Sequence, residues 1–318
     1  MEPELRALLD VLEKSNSTNL VKDYILPLAI VFMGGVIAHI STSYMRYLDA
    51  QKEKIDIAND WILGFQQAFN SLIAIKSNYH NKLTASPLQR AGSFPRTIGS
   101  AKKLDLQVSK LSFIAQHTSD FSEIDNNHKN PSYISALQSN YNLLIEILIQ
   151  RNKLSEEISS SLSKKISPDV SNTTLDLDEI YTEVSPLIFL RYIQLTEQAI
   201  KMTDELAIAI HNFLCKFTDI CRYAIDTKRV KHYRRIMDVY YDHLELLNKS
   251  PDVDYDALGL LLGISAQLAK EKFVTGYEDQ PKPIRKTTDM LKNPSVNQSI
   301  RQHKEDIAIE KHHKYWWK

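Results

Sequence analysis

The strongest constraint on this chain is a stretch of 22 residues, 24–45, without a single Asp, Glu, Lys or Arg. As a helix it would measure roughly 33 Å, about the hydrocarbon thickness of a bilayer. A buried core helix seldom stays uncharged for so long. A cleaved signal peptide would have a basic start, whereas this chain begins Met1-Glu2-Pro3-Glu4. We therefore predict a single transmembrane helix at 24–45, with Tyr24, Tyr44 and Tyr47 at its interfaces.

Composition indicates that the chain as a whole is rich in helix and has no net charge. Acidic and basic residues number 39 each, so the whole molecule has no net attraction for nucleic acid. Only 8 glycines occur in 318 residues, which favours helices over tightly turning strands. Cys215 and Cys221 lie six positions apart in a helical pattern, on different faces, and two free thiols suit a reducing compartment. The basic residues on the two sides of the span are equal in number, so they do not indicate its orientation. The thiols favour a cytoplasmic location for the bulk of the chain. We therefore expect a single-pass protein of the inner (plasma) membrane with most of its residues in the cytoplasm.

Small and polar residues form a stripe along the predicted span. They recur every fourth residue in two adjacent rows: Gly34, Ala38 and Thr42, and Gly35, His39 and Ser43. Such a stripe lets helix backbones approach closely and hydrogen-bond to one another. The alternative is that glycine is simply common in membrane helices and that the polar residues lie near an interface. We predict that this face mediates homo-oligomerisation, with His39 as a gate or polar contact of an oligomeric pore.

The predicted fold class is all-α: one N-terminal transmembrane helix continuing into a long-helix bundle with coiled-coil-like seams. We divide the chain into a short amphipathic segment (1–23), the transmembrane helix (24–45), a helical soluble bundle (46–277) and a basic, aromatic C-terminal tail (278–318).

Apolar spacings of three and four predict the individual helices. The membrane helix should run on to about Leu72, and Pro and Gly residues predict a loop at 84–99. Further helices are predicted at 102–116, 132–165, 186–224, 228–247 and, as a buried core helix, 257–269. The pattern from Ile188 to Ala224 is the longest and predicts a seam roughly 55 Å long.

The densest basic cluster lies at 222–235, where Asp226 is the only acid. Its candidate ligand-binding residues are Arg222, Lys228, Arg229, Lys231, His232, Arg234 and Arg235. Cations interleaved with aromatic residues suit phosphates and stacked bases, so a nucleotide or oligonucleotide is one candidate ligand. On a helix the same residues could also be an ordinary solvated face. Acidic lipid is a third reading, which requires the segment to lie close to the bilayer.

Basic residues and aromatics also end the chain, and we predict that this tail contacts the membrane interface or a partner protein. The residues concerned are Lys311, Lys314, Tyr315, Trp316 and Trp317. We expect no metal and no cofactor. Asp254 and its acidic neighbours resemble the start of a calcium loop, but Ala257 stands where that loop needs glycine, so they are expected to cap a helix.

The chain has no His-Glu-x-x-His, Cys-x-x-Cys or Gly-x-Ser-x-Gly motif, so we expect it not to be an enzyme. In layout, with a short N-terminal segment, one span bearing a small and polar stripe and a helical domain, it resembles the small membrane effectors of bacterial anti-phage defence. The resemblance covers the architecture of the whole chain and transfers no residue roles. It implies membrane disruption or a pore controlled by a nucleotide signal or a partner protein.

Two functions follow from these observations. The first is a membrane-anchored oligomeric effector or receptor, whose helical cytoplasmic domain senses a partner or an anionic ligand and controls the membrane helices. The second is a passive helical scaffold tethered to the membrane, for which the basic cluster is only a solvated surface. A membrane-bound hydrolase is a third reading, and it requires a polar pocket that the sequence does not reveal.

Overall fold

The computed structural model describes residues 6–7, 10, 24–97, 101–115, 127–163, 177–239 and 244–272. These residues form helices joined by turns and irregular segments, and they contain no β-strand. The helices are α1 (Leu26–Ser77), α2 (Pro87–Ser93), α3 (Ser112–Ala115), α4 (Pro131–Leu162), α5 (Leu177–Glu183), α6 (Pro186–Ala224), α7 (Tyr255–Leu262) and α8 (Ala266–Lys272). Short 3₁₀ turns lie at Val108–Leu111, Asn127–Lys129 and Leu244–Leu247. The predicted tail, 278–318, and most of segment 1–23 lie outside the described residues.

Helix α1 is 52 residues long and confirms that the apolar N-terminal helix runs on without a break. Its length is roughly 78 Å at 1.5 Å per residue. From Ile55 to Leu72 the apolar residues spaced three or four apart are buried, as the pattern predicts. The residues before position 48 have a different environment, described below.

Two compact units divide the chain, one comprising 1–56 with 225–235 and the other comprising 57–224 with 236–318. In the second unit, α6 packs along α4 and also contacts α2 and α7. Every residue of 202–214 is buried, which exceeds the single seam that the sequence predicts. The rings of Phe65 and Phe213, with centroids 4.7 Å apart, join α1 to α6 within this unit.

Three buried cations hold irregular segments onto this core. Arg90 Nε donates to both carboxylate oxygens of Glu197, at 2.8 and 2.9 Å, and its Nη1 donates to the carbonyl of Pro251. Lys76 pairs with Asp204 at 2.7 Å. Burial raises the pKa of Glu197, and the charge of Arg90 opposes that rise. Each cation thus satisfies groups that would otherwise be buried without a partner.

Arg151, the third cation, is fully buried and is held by neutral groups. Its guanidinium donates to the Tyr192 hydroxyl at 2.7 Å, to the Pro95 carbonyl at 3.1 Å and to the Phe94 carbonyl. It also lies over the Phe94 ring, 4.5 Å from the centroid. Burial lowers the pKa of Arg151, and the contact with Tyr192 opposes that change. These contacts fix the chain that follows α2.

Several predicted elements differ from the structure. The helix predicted at 228–247 is wrong: residues 227–239 form turns and an irregular segment, and of the described residues that follow, Leu244–Leu247 makes a 3₁₀ turn. The predicted loop at 84–99 contains α2, and the helix predicted at 102–116 begins only at Val108 as a 3₁₀ turn. Side-chain contacts that lie far apart in the sequence outweigh local helix propensity at these places.

The ends of two helices also differ from prediction. The helix predicted at 132–165 begins at Pro131 and ends at Leu162, and Asn130 caps it, because the Asn130 side chain accepts the Ser132 amide proton. The predicted core helix at 257–269 is divided at Gly263, whose φ of 66° is left-handed and ends α7. Asp254 caps α7 as predicted, accepting from the amides of Asp256 and Ala257.

Replacing Glu197 with Gln should destabilise the second unit strongly, because Arg90 would remain buried without its counter-charge. We expect the free energy of unfolding to fall by about 3–5 kcal/mol. Urea unfolding of the full chain in a neutral detergent, followed by circular dichroism, measures this.

The matched control is Glu146→Gln, which removes the exposed partner of Lys103. Its cost should stay below about 1 kcal/mol. Similar losses in the two variants would show that the buried pair has no special role.

Candidate functional site

Residues 24–47 of α1 are exposed along their whole length. Leu28, Val31 and Phe32 each expose more than 70% of their surface. This is the one helix of the described residues that is long and apolar enough to cross a membrane, and no residue of its apolar window is buried. Water-soluble monomers rarely leave a continuous apolar surface of this size uncovered.

The predicted stripe occupies one half of this exposed helix between residues 33 and 44. Successive residues are 100° apart, so the rows starting at Gly34 and Gly35 are adjacent and together cover about half the circumference. The other half carries Met33, Val36, Ile37, Ile40, Ser41 and Tyr44. A Cβ built on Gly34 or Gly35 meets nothing within 4 Å, so the stripe has room for a neighbouring helix. All six predicted residues of the stripe are therefore exposed and continuous.

The second candidate feature is the segment 225–235, which we call the basic loop. It is docked on α1 directly after the apolar stretch. Tyr47 donates its hydroxyl proton to Asp226 at 3.2 Å, and the amide of Asp226 donates to Gln51 at 3.1 Å. The Arg229 guanidinium lies over the Tyr47 ring, 5.4 Å from its centroid. Burial and the hydrogen bond to Asp226 raise the pKa of Tyr47.

The other end of the basic loop is held further along α1. Tyr233 donates to Asp56 at 2.6 Å, and Arg234 lies 3.7 Å from the same carboxylate. The hydrogen bond to Asp56 raises the pKa of Tyr233. Nine residues separate the two attachment points, so the loop covers roughly 13 Å of the helix.

The charges of the basic loop are only partly neutralised. Five basic side chains against one acid leave a net charge of +4, with His232 neutral. Arg229 pairs with Asp226 at 3.2 Å. Lys228 and Lys231 are exposed and make no ion pair with any residue that the structure describes. His232, Arg234 and Arg235 are exposed as well.

The prediction that the basic cluster forms a stripe on a helix is therefore wrong. Residues 228–235 do not form a helix, and Arg222 falls in the second unit, where it pairs with Asp219 at 3.6 Å and with Asp238. Sequence reasoning also missed Gln51 and Asp56 as partners of the basic loop. These partners lie more than 170 residues away along the chain, and no local pattern marks them.

The second unit has a small polar cleft beside the buried ion pairs. Arg90, Glu197, Lys201, Lys249 and Tyr255 are among its lining residues, and it holds about 20 Å³, room for roughly one water molecule. Arg90 and Glu197 in its wall pair with each other, and Lys201 pairs with Glu205. In the described residues no group of three or more His, Cys, Asp or Glu side chains could hold a metal. The cleft thus resembles a packing feature more than a substrate site.

The tail residues predicted to contact the membrane interface or a partner lie outside the described residues. Comparisons with protein-family models, with curated proteins and with solved structures found no match to this chain.

Replacing Tyr47 with Leu should release the near end of the basic loop, because both the Asp226 hydrogen bond and the ring beneath Arg229 are lost. We expect trypsin to cleave after Lys228 and Lys231 several times faster in detergent-solubilised protein. Mass spectrometry of the fragments over time measures this.

Tyr44→Leu is the control, since Tyr44 is another exposed tyrosine of α1, about one turn earlier. Its cleavage rate should match the wild type. Equal acceleration in both variants, or in neither, would contradict the role of Tyr47.

Proposed function

We propose that this protein is a membrane-anchored oligomeric effector or receptor, in which α1 crosses a bilayer and a helical cytoplasmic part responds to a partner protein or an anionic ligand. One observation carries the proposal. Residues 24–45 combine charge-free apolar sequence with complete exposure on a helix that continues directly into the folded part of the chain. Only a bilayer or other apolar surfaces would cover them favourably.

A soluble core helix and a signal peptide are also apolar, but neither fits α1 as well as a membrane anchor does. A soluble core helix would be mostly buried in its own chain, whereas this segment is entirely exposed. A signal peptide would be followed by a cleavable junction, whereas α1 remains helical to Ser77 and buries Gln51 and Ile55 soon after the apolar stretch.

Oligomerisation is the second part of the proposal, and it rests on the stripe of Gly34, Gly35, Ala38, His39, Thr42 and Ser43. In a bilayer, two equally apolar surfaces do not drive helices together, so association depends on close packing and polar contacts. Glycine permits close packing, and His39, Thr42 and Ser43 supply polar contacts. A ring of such helices would direct His39 towards its centre and form a pore, as the resemblance to anti-phage membrane effectors implies.

The cytoplasmic placement and the sensing role are further parts of the proposal. Neither Cys215 nor Cys221 forms a disulfide with a described residue, which suits a reducing compartment. Burial raises the pKa of the Cys221 thiol, so this group is an inert core residue. We propose that the long helices pack as a bundle with coiled-coil-like seams, which would transmit a binding event to α1.

The membrane anchor can be tested by placing charge at the middle of the span. Met33→Arg with Ile37→Arg should move the protein from the alkaline-resistant membrane fraction to the soluble or aggregated fraction. Two arginines at mid-depth oppose insertion by about 5–7 kcal/mol. Full extraction of the wild type by alkaline carbonate would disprove the anchor.

Pore formation can be tested by dye entry into cells that express the protein at matched levels. Wild type is expected to admit the dye, and His39→Ala or the double variant Gly34→Leu, Gly35→Leu should abolish entry. The control is Ala29→Leu with Ser41→Leu, which adds two leucines on the opposite half of the helix and should keep the wild-type behaviour. An intact barrier with every variant, while the anchor is confirmed, would favour the passive scaffold.

A further inference from the structure

The basic loop lies at the level where the lipid headgroups of the proposed bilayer begin. Tyr47, which contacts both Asp226 and Arg229, follows the apolar stretch by two residues, about 3 Å along the helix axis. The headgroup region of one leaflet is roughly 5–8 Å deep. The near end of the loop therefore lies within that region if α1 spans the membrane at 24–45.

We infer that the basic loop is a membrane-surface collar that binds anionic phospholipid headgroups. This inference rests on the proposed membrane anchor, and it names the anionic partner of the loop. Lys228 is exposed next to Arg229 at the near end, and Lys231 is exposed further along the loop. Neither cation is neutralised by a described carboxylate, so both can attract phosphate at the membrane surface.

Lipid fits this geometry better than a nucleotide does. Small-molecule sites are concave and bury most of the ligand. Lys228, Lys231 and His232 are instead exposed on the outside of a loop. A charged plane such as a membrane surface can meet several outward-facing cations at once, because no pocket is required.

The docking contacts explain how the loop keeps its position. Ile225 and Val230 are its buried side chains, and Tyr47 and Asp56 of α1 hold its two ends by hydrogen bonds. The acid within the loop, Asp226, is occupied by Tyr47 and Arg229. The loop therefore presents its lysines outward without a local acid to neutralise them.

The position along α1 predicts a gradient among the cations. Arg234 is anchored near Asp56, roughly 13 Å beyond Tyr47. At physiological ionic strength the screening length is about 8 Å, so charges at that height contribute little to headgroup attraction. Lys228 should contribute most and Arg234 least.

The test uses the full chain in a neutral detergent, titrated with phosphatidylglycerol or phosphatidylcholine and followed by native mass spectrometry. We expect phosphatidylglycerol to bind at least tenfold more tightly. Lys228→Gln should weaken its binding about fivefold, the loss typical of one cation removed near a membrane surface. Arg234→Gln should change it less than twofold.

The matched control is Lys270→Gln with Lys272→Gln, which removes two exposed lysines of α8 in the second unit. Phosphatidylglycerol binding should be unchanged in this variant. All of these positions are on the surface, so the variants should fold as the wild type does. Circular dichroism checks this.

Two results would overturn the inference. One is that the protein binds the two lipids with equal affinity while the wild type resists carbonate extraction. That result would support the membrane anchor and disprove lipid binding by the basic loop. The other is that a short oligonucleotide or ATP displaces phosphatidylglycerol at a lower concentration than that of the lipid, and that Lys228→Gln weakens this competitor's binding as well. That result would identify the basic loop as a nucleotide-binding segment. If alkaline carbonate extracts the wild type from the membrane, the proposed membrane anchor itself is disproved.

Discussion

An unbroken backbone hydrogen-bond ladder in α1 is the constraint on which the other features depend. A helix satisfies its own backbone groups, so it can pass from an apolar medium to an aqueous one without losing hydrogen bonds. Along α1 the side chains alone change: residues 24–47 are exposed and mostly apolar, and from Gln51 onward one face is buried. The same helix can therefore serve as the proposed anchor and contribute to the folded core.

Buried charge is the second organising feature of the protein. Lys76, Arg90 and Arg151 are almost completely buried, and each donates to backbone carbonyls of irregular segments. Long side chains of this kind can reach carbonyls that no helix or strand satisfies. A single helix, α6, supplies Asp204, Glu197 and Tyr192 as their partners, which explains why it carries polar residues within an otherwise apolar core.

Aromatic and acidic residues of α1 hold the basic loop in place. This explains why the basic cluster, which the sequence pattern predicts to be a stripe on a helix, forms a loop instead. Tyr47 and Asp56 each hold one end of the loop, so its backbone follows the surface of α1 instead of forming its own helix. Arg222, Arg229 and Arg234 pair with carboxylates that are one turn away or are close to them only in the folded chain. The outward lysines remain as the charged surface.

The sequence alone determined the all-helical class, the bounds of α6 from Pro186 to Ala224, the continuation of α1 and the charge-free stretch, because these depend on local composition and on periods of three and four residues. It also predicted Asp254 as a cap, since capping is a contact of two or three residues. The partners of Arg90, Arg151 and the basic loop were decided only by tertiary structure. Those contacts join residues from about 40 to nearly 180 positions apart, so no local pattern of residues marks them.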